Sequence, residues 1–317
     1  MSGARSASLE CSTRWGALGL DAGGTTTRWM LLDDTSECLA EGSAGGLSGL
    51  MLHSAHGVER LNATFAEIAR EVATRLPRDV PLVIAGGFTG VDSHSTELAQ
   101  IIAQAFAIPV SRVQIMSDIE VAFRGAFKPG EGYIVYAGTG SIAAYVDESG
   151  AFHRAGGRGV GLDDGGGGYW MAREALRHIW RREDERPGAW KDSALARAMF
   201  DRLGGSEWDR SRSFYYAKDR GEIGMLALVV RDTADADPIS REILRGAGIE
   251  LARLANAMVA RFGVKPVALA GRASRLHPII EATLRERLAT VPMSYVDSVA
   301  HAAAARIALQ RASIDLG

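Results

Sequence analysis

The sequence predicts a duplicated α/β fold of two subdomains with a cleft between them. A turn rich in glycine and threonine, Asp21-Ala22-Gly23-Gly24-Thr25-Thr26-Thr27, has a counterpart far along the chain in Ala137-Gly138-Thr139-Gly140-Ser141. A short apolar run, typical of a buried strand, precedes each turn. The same order of elements, a strand meander followed by helix, strand and helix, fits both halves. A chain of 317 residues, 47% of them hydrophobic, can bury the core of two such subdomains.

In the first half, glycine and aspartate pairs separate three apolar runs, which predicts a meander of three strands. A loop of small residues from Gly42 to Leu50 then leads into an amphipathic helix. A buried strand further on should end before a turn formed by Gly86-Gly87-Phe88-Thr89-Gly90. The expected elements are strands at 15–21, 27–33, 38–41, 80–85 and 112–116, and helices at 56–75, 96–106 and from residue 118.

The second half repeats this order around the second turn. Asp237-Pro238 predicts a helix start, because aspartate is a good N-cap and proline suits the first helical position. The expected elements are strands at 132–137, 141–147, 151–154, 266–270 and 293–296, and helices within 169–262, at 273–288 and at 298–312. We therefore expect a disordered leader at 1–14, one subdomain at 15–118 joined by the helix at 298–312, and a second at 119–297.

Charge and composition exclude several classes of partner. The formal net charge is −2 and the pI is about 6.4, so no basic field favours nucleic acid or a membrane surface. Cys11 and Cys38 have neither metal-ligand spacing nor the pattern of a disulfide framework. The sequence shows no signal-peptide core and no apolar run of membrane-spanning length. We expect a cytoplasmic protein with no nucleic-acid or membrane partner.

The two turns are candidate phosphate sites. Glycine-rich turns expose backbone N–H groups, and the hydroxyls of threonine and serine add donors beside them. A single Gly-Gly-Thr turn would also fit an ordinary hairpin, but two copies favour a nucleotide held from both sides. The predicted phosphate-binding residues are Gly23, Gly24, Thr25, Thr26, Gly138, Thr139 and Gly140, with Ser141 as a lesser candidate.

Two aspartates are candidates for metal binding and catalysis. Asp21 ends the strand before the first turn, where a carboxylate can order the water shell of Mg²⁺; the alternative is a turn-forming aspartate. Asp118 follows a strand and begins a helix, so it could accept a hydroxyl proton or serve only as an N-cap. Sites of α/β sheets lie at the carboxyl ends of strands, which favours the functional role. Glu120 and His301 are expected on solvated helix surfaces.

The order of motifs resembles the actin-like ATPase superfold, of ribonuclease H-like topology. Within it, the chain resembles the N-acetylglucosamine kinase family, which is related to activator ATPases of acyl-CoA dehydratases and reductases. The resemblance spans about residues 15–310, including both turns and Ser117-Asp118. Its most specific part is residues 157–176, which align without gaps to a family segment and include Gly157, Asp164 and Tyr169-Trp170.

The resemblance implies roles for further residues. Asp164 would bind sugar hydroxyls, with Gly157, Thr89 and Ser48 also at the substrate, and Gly271 would let adenine approach the backbone. Asp118 occupies the position of the catalytic acid in the connecting motif. The chain departs from the family pattern at Asp163, Gly165 and Arg272, and the loop at 42–50 lacks the asparagine that typically contacts the sugar. Open N–H groups at the helix after the glycine run also favour a ligand there.

The function implied is an ATP-dependent sugar kinase that phosphorylates the 6-hydroxyl of an amino sugar, N-acetylglucosamine or glucosamine. Its cofactors would be ATP and Mg²⁺, its partner a small-molecule sugar, and its assembly a homodimer. One alternative is a non-catalytic, nucleotide-gated sugar sensor. Another is an activator ATPase, which needs cysteines for an iron–sulfur cluster that Cys11 and Cys38 are badly placed to supply.

Overall fold

The computed structural model describes residues 14–24, 26–77, 79–91, 95–296 and 299–316. The predicted leader at 1–14 lies outside the described residues apart from Arg14. The chain divides into two compact units. The N-terminal unit runs to Gly125 and includes the C-terminal helix Ala300–Asp315, and the C-terminal unit covers residues 126–297. No helix in these described stretches is long and apolar enough to cross a bilayer.

A five-stranded sheet forms the centre of the N-terminal unit. The strands are β1 Gly16–Ala22, β2 Thr26–Asp33, β3 Cys38–Gly45, β4 Leu82–Phe88 and β5 Val113–Ser117. β1 is paired antiparallel with β2 and parallel with β4, and the strand order is β3-β2-β1-β4-β5. The helices are α1 Ala55–Ala73, α2 Thr96–Phe106 and α3 Asp118–Ala126, followed much later by the C-terminal helix.

Helices cover both faces of this sheet, which explains why β1 is almost wholly apolar. Side chains of α1 and α2, including Phe65 and Ile102, form one core with Leu18 and Leu20. The C-terminal helix packs its alanines on the opposite face. It approaches so closely that a Cβ on Gly19 would lie 2.1 Å from the amide nitrogen of Ala305, so only glycine fits there.

The C-terminal unit repeats the same sheet. The strands are β6 Tyr133–Ala137, β7 Ser141–Val146, β8 Phe152–Gly156, β9 Val267–Ala270 and β10 Met293–Tyr295. The strand order is β10-β9-β6-β7-β8, so β6, β7 and β8 form the meander and β9 pairs parallel with β6. The helices are α4 Gly168–Glu185, α5 Ala194–Leu203, α6 Trp208–Ala217, α7 Arg220–Gly224, α8 Ala227–Asp232, α9 Pro238–Phe262 and α10 Pro278–Arg287.

The predicted duplication is confirmed by the matching strand orders of the two sheets. The start of α9 is confirmed as well: Asp237 caps it by accepting the amide hydrogen of Ile239, and Pro238 occupies the first turn. The predicted helix at 96–106 has the bounds of α2.

Several predicted boundaries differ from the structure; β3, for example, continues to Gly45 into the loop predicted at 42–50. Gly86 and Gly87 belong to β4, because they pair with β1 in parallel register, and the turn begins only after Phe88. The helix predicted at 273–288 is a 3₁₀ turn at Ala273–Arg275 followed by α10, because Pro278 begins a new helix. The N-terminal unit extends past residue 118, because α3 packs Val121 into the core formed with the C-terminal helix.

Candidate active site

The first turn connects β1 to β2 in the N-terminal unit. The amide of Gly23 donates to the carbonyl of Thr26 over 3.1 Å, and the amide of Leu47 donates to the carbonyl of Gly23 over 3.0 Å. These bonds fix the turn from both sides. Within the described residues, the Gly24 amide and the Thr26 hydroxyl have no hydrogen-bond partner, and both residues are exposed. They remain available to a ligand, whereas Thr25 lies outside the described residues.

Asp21 and Asp118 form an acidic pair beside this turn. Asp21 is the penultimate residue of β1, and Asp118 is the first residue of α3. Burial raises the pKa of Asp21, the Asp118 carboxylate raises it further, and the Arg28 guanidinium on β2 opposes both effects. A carboxylate whose pKa is raised by a neighbouring carboxylate is stabilised by a cation, and Mg²⁺ binds proteins through one or two carboxylates. Asp21 therefore fits a magnesium ion.

Hydrogen bonds hold Asp118 in place. Its Oδ2 accepts the Thr89 hydroxyl over 2.8 Å, and its Oδ1 accepts the amide of Ile119 over 2.8 Å. The N-cap bond of α3 comes from Ser117, whose hydroxyl accepts the amide of Glu120 over 3.2 Å. Because Ser117 caps the helix, capping alone does not account for Asp118.

Thr89 connects three of the predicted site segments. Its amide donates to the carbonyl of Ala22 over 3.1 Å, next to the first turn. Its carbonyl accepts the hydroxyl of Ser48 over 3.1 Å and the amide of Gly49 over 3.0 Å. The structure thus brings Ser48, Thr89, Asp118 and the first turn together within one unit.

The second turn connects β6 to β7 in the C-terminal unit, and α4 determines its conformation. The amide of Gly168 donates to the carbonyl of Gly138 over 2.8 Å, and the amide of Tyr169 donates to the carbonyl of Thr139 over 3.0 Å. Among the described residues, the amides of Thr139 and Gly140 have no acceptor. Two of the turn's carbonyls are thus occupied by α4, while these two N–H groups can bind an anion.

This arrangement corrects the prediction that the open N–H groups of the helix after the glycine run bind a ligand. The first two N–H groups of α4 bind the turn itself, because the helix begins directly against it. Glycine is required at this contact: a Cβ on Gly167 would lie 2.6 Å from the carbonyl oxygen of Thr139. Ser141 is also structural, since its buried hydroxyl donates to the carbonyl of Gly165 over 2.6 Å.

Asp164 lies against the second turn. A Cβ on Gly140 would be 2.2 Å from Oδ2 of Asp164, and the other oxygen, Oδ1, accepts the amide of Gly159 over 3.1 Å. Asp164 has a backbone φ of +55°, which costs a non-glycine residue energy and is typical of functional sites. Burial raises the pKa of its carboxyl group, while hydrogen bonds from the backbone and the charge of Arg220 act in the opposite direction.

Gly157 and Gly271 also have positive φ angles, of +62° and +86°. A Cβ on Gly157 would lie 2.6 Å from the side chain of Ile142 on β7. A Cβ on Gly271 would lie 2.3 Å from the carbonyl oxygen of Ala137, the residue before the second turn. Both glycines are therefore needed for the geometry around the turn, whether or not they also contact a ligand.

Two predictions about surface residues are wrong. Glu120 is buried and pairs with Arg124 over 2.9 Å, because the first turn of α3 packs its side chains inward. His301 is 9% exposed in the first turn of the C-terminal helix, which packs tightly on β1. Arg220 and Gly224 of α7 also lie near the second turn, and the sequence analysis did not identify them. The run Asp219-Arg220-Gly221-Glu222 signals a helix start but no site.

Two open phosphate-type turns on duplicated sheets, with an acidic pair beside the first, define an ATPase-type α/β protein. The chain belongs to the BadF/BadG/BcrA/BcrD ATPase family, whose model matches residues 18–304. The predicted superfold and wider family are confirmed, and membership of an ATPase family agrees with the expected use of ATP.

Relatives with described activities match in sequence and fold. The chain is 28% identical over 153 residues to an N-acetylmuramic acid/N-acetylglucosamine kinase of Clostridium acetobutylicum, and the match spans 47% of this chain and 49% of that relative. The match thus spans about half the length of that curated relative. A Chromobacterium violaceum protein, provisionally assigned as an N-acetylglucosamine kinase, is 26% identical, with a TM-score of 0.73 over 94% of this chain and 100% of its own.

A more distant structure shares the fold alone. The ROK-family glucokinase of Streptomyces griseus, solved with glucose and AMPPNP, has a TM-score of 0.56 at 14% identity. The match covers 94% of this chain and 99% of that one.

Proposed function

We propose that this protein is an ATP-dependent sugar kinase that phosphorylates the 6-hydroxyl of an amino sugar, N-acetylglucosamine or glucosamine. The observation that carries the proposal is the Asp118 carboxylate, which the Thr89 hydroxyl holds beside Asp21 and the first turn. The kinase relatives support this reaction class, and the family supports the use of ATP.

Asp118 is the general base in this proposal. Phosphoryl transfer needs positioning and charge neutralisation more than covalent chemistry, so one oriented carboxylate is sufficient to accept the hydroxyl proton. Each carboxylate oxygen of Asp118 already accepts one hydrogen bond, Oδ2 from Thr89 and Oδ1 from Ile119. Each can accept another, because a carboxylate oxygen has two lone pairs. Asp118 can therefore orient an acceptor alcohol without losing its contact with Thr89.

The nucleotide and metal fit the groups that each unit offers. Asp21 would hold Mg²⁺, which neutralises charge on the transferred phosphoryl group when bound. The open donors at Gly24 and Thr26, and those at Thr139 and Gly140, suit phosphate oxygens. The carbonyl contacts that α4 makes with the second turn orient its N–H groups before any ligand arrives, which lowers the cost of binding.

Asp164, Ser48 and Thr89 are the residues that we propose for binding the sugar. Asp164 is buried and keeps acceptor capacity beyond its bond with Gly159, as a ligand for sugar hydroxyls requires. Gly157 shapes the loop that contains Asp164. On the family resemblance, we also propose a homodimer that acts in the cytoplasm.

A coupled assay of ADP release tests the proposal. The protein would be supplied with Mg²⁺-ATP and, in turn, N-acetylglucosamine, glucosamine, N-acetylmuramic acid and glucose. We expect saturable ADP release with at least one amino sugar and loss of that release in Asp118→Asn, which retains the shape and the Thr89 contact. ADP release that no sugar stimulates would favour an ATPase, and nucleotide binding without any turnover would favour the sensor.

A further inference from the structure

The short helix α7 packs directly on the second turn. A Cβ on its last residue, Gly224, would lie 3.6 Å from Cγ2 of Thr139 and 3.4 Å from the amide nitrogen of Tyr169. A Cβ on Gly168 would in turn lie 3.0 Å from the carbonyl oxygen of Gly224. A side chain at either glycine would meet the other segment, so α7 ends next to the second turn and the start of α4.

The start of α7 is fixed by a capping box. The carboxylate of Asp219 accepts the amide of Glu222 over 2.8 Å, and Glu222 accepts the amide of Asp219 over 3.3 Å. The first helical residue, Arg220, lies four positions before Gly224, a rise of about 6 Å along the axis. Arg220 is thus placed, on a defined helix, within reach of the second turn.

The charge of Arg220 is not used by a neighbouring carboxylate. Lys218, two residues earlier, pairs with Glu222 over 2.7 Å, whereas Arg220 has no ion pair among the described residues. The exposed guanidinium of Arg220 acts electrostatically on Asp164, whose Oδ2 lies against Gly140. An unpaired cation therefore belongs to the helix that ends beside the second turn, where the amides of Thr139 and Gly140 are open.

We propose that Arg220 is a further nucleotide-binding residue, which contacts the phosphate chain held by the second turn. Arginine suits this position, because its planar guanidinium binds phosphate oxygens through two parallel hydrogen bonds and stays charged at any physiological pH. The inference rests on the proposed function for the identity of the ligand. It adds a charged side chain to a turn that otherwise offers neutral donors.

Equilibrium binding to the intact protein tests this role. Isothermal titration calorimetry would measure AMPPNP and AMP, each with Mg²⁺, on the wild type and on Arg220→Ala, Arg220→Lys and Arg212→Ala. Arg212 is a matched control, an exposed arginine on α6 that pairs with Asp209. We expect Arg220→Ala to weaken AMPPNP binding about tenfold, the size of one charge-assisted contact, and to leave AMP binding unchanged. Arg220→Lys should retain part of the affinity, and Arg212→Ala all of it.

Several outcomes would overturn the role of Arg220. One is AMPPNP affinity within twofold of the wild type in Arg220→Ala, and another is an equal loss of affinity for AMP and AMPPNP. Failure of the wild type to bind AMPPNP would overturn it as well. Tight AMPPNP binding that depends on Arg220, in a protein that phosphorylates no sugar, would support this inference while contradicting the proposed kinase function.

Discussion

Replacing Gly140 by alanine should damage the candidate site through a single contact. Neither the φ of Gly140 nor its burial forbids alanine, since its φ is not positive and it is only partly buried. The added Cβ, however, would lie 2.2 Å from Oδ2 of Asp164, where ordinary contacts begin near 3.4 Å. The carboxylate must therefore move by about 1 Å, and a displacement of that size can reduce catalysis about 100-fold. This corresponds to about 2.7 kcal/mol of transition-state stabilisation.

The assay is sugar-dependent ADP release, with kcat/KM for the sugar as the readout. Gly161→Ala is the matched control, because Gly161 lies in the same loop as Asp164, has no positive φ and has open space around its Cβ position. We expect Gly140→Ala to lose about 100-fold in kcat/KM and Gly161→Ala to lose less than threefold. Equal values for the two variants would show that the position of Asp164 does not matter for turnover.

Three further predictions concern catalysis, packing and pH. Asp118→Asn should lower kcat at least about 100-fold in steady-state assays, because the general base is lost. AMPPNP affinity should stay constant, because the phosphate donors are retained. An unchanged kcat would contradict the role of Asp118 as general base. Gly271→Ala should lower the free energy of unfolding by more than about 2 kcal/mol in urea titrations. Its φ of +86° disfavours a side chain, and the new Cβ would lie 2.3 Å from the carbonyl oxygen of Ala137. A smaller loss would contradict this packing. Burial, and to a smaller extent the charge of Arg28, lower the pKa of His301 below its ordinary value of 6.5. The unfolded chain therefore binds the proton more readily than the folded one, and the free energy of unfolding should fall as the pH drops below 6.5. His301→Leu should flatten that fall in urea midpoints measured between pH 7 and pH 5, and an unchanged slope would contradict the role of His301.

Local chemistry made most of the fold predictable. Each sheet begins with a meander of three strands, and turn residues between the apolar runs locate those strands. Helices α2 and α9 have N-caps at Ser95 and Asp237, so capping rules locate their starts. The placement of Asp118 directly after β5 follows from the same reasoning, because the apolar run ends at Met116, two residues earlier. The family resemblance added the candidate roles of Asp164 and Gly271, and those roles stay predictions.

Features that depend on packing between distant segments were not predictable. The burial of His301 follows from how closely the C-terminal helix approaches Gly19, which no pattern within that helix reveals. The first N–H groups of α4 bind the second turn only because two segments some 30 residues apart meet there. The contact of Asp164 with Gly140 and the proximity of Arg220 arise in the same way.

Phosphorus-31 NMR of the reaction products shows directly which hydroxyl of the sugar receives the phosphate. The protein would be incubated with Mg²⁺-ATP and N-acetylglucosamine or glucosamine, and the new phosphate signal would be recorded with proton coupling. We predict a monoester signal split into a triplet by the two protons on carbon 6, formed by the wild type and absent with Asp118→Asn. Only inorganic phosphate, or a doublet from a ring hydroxyl, would contradict the proposed transfer to the 6-hydroxyl.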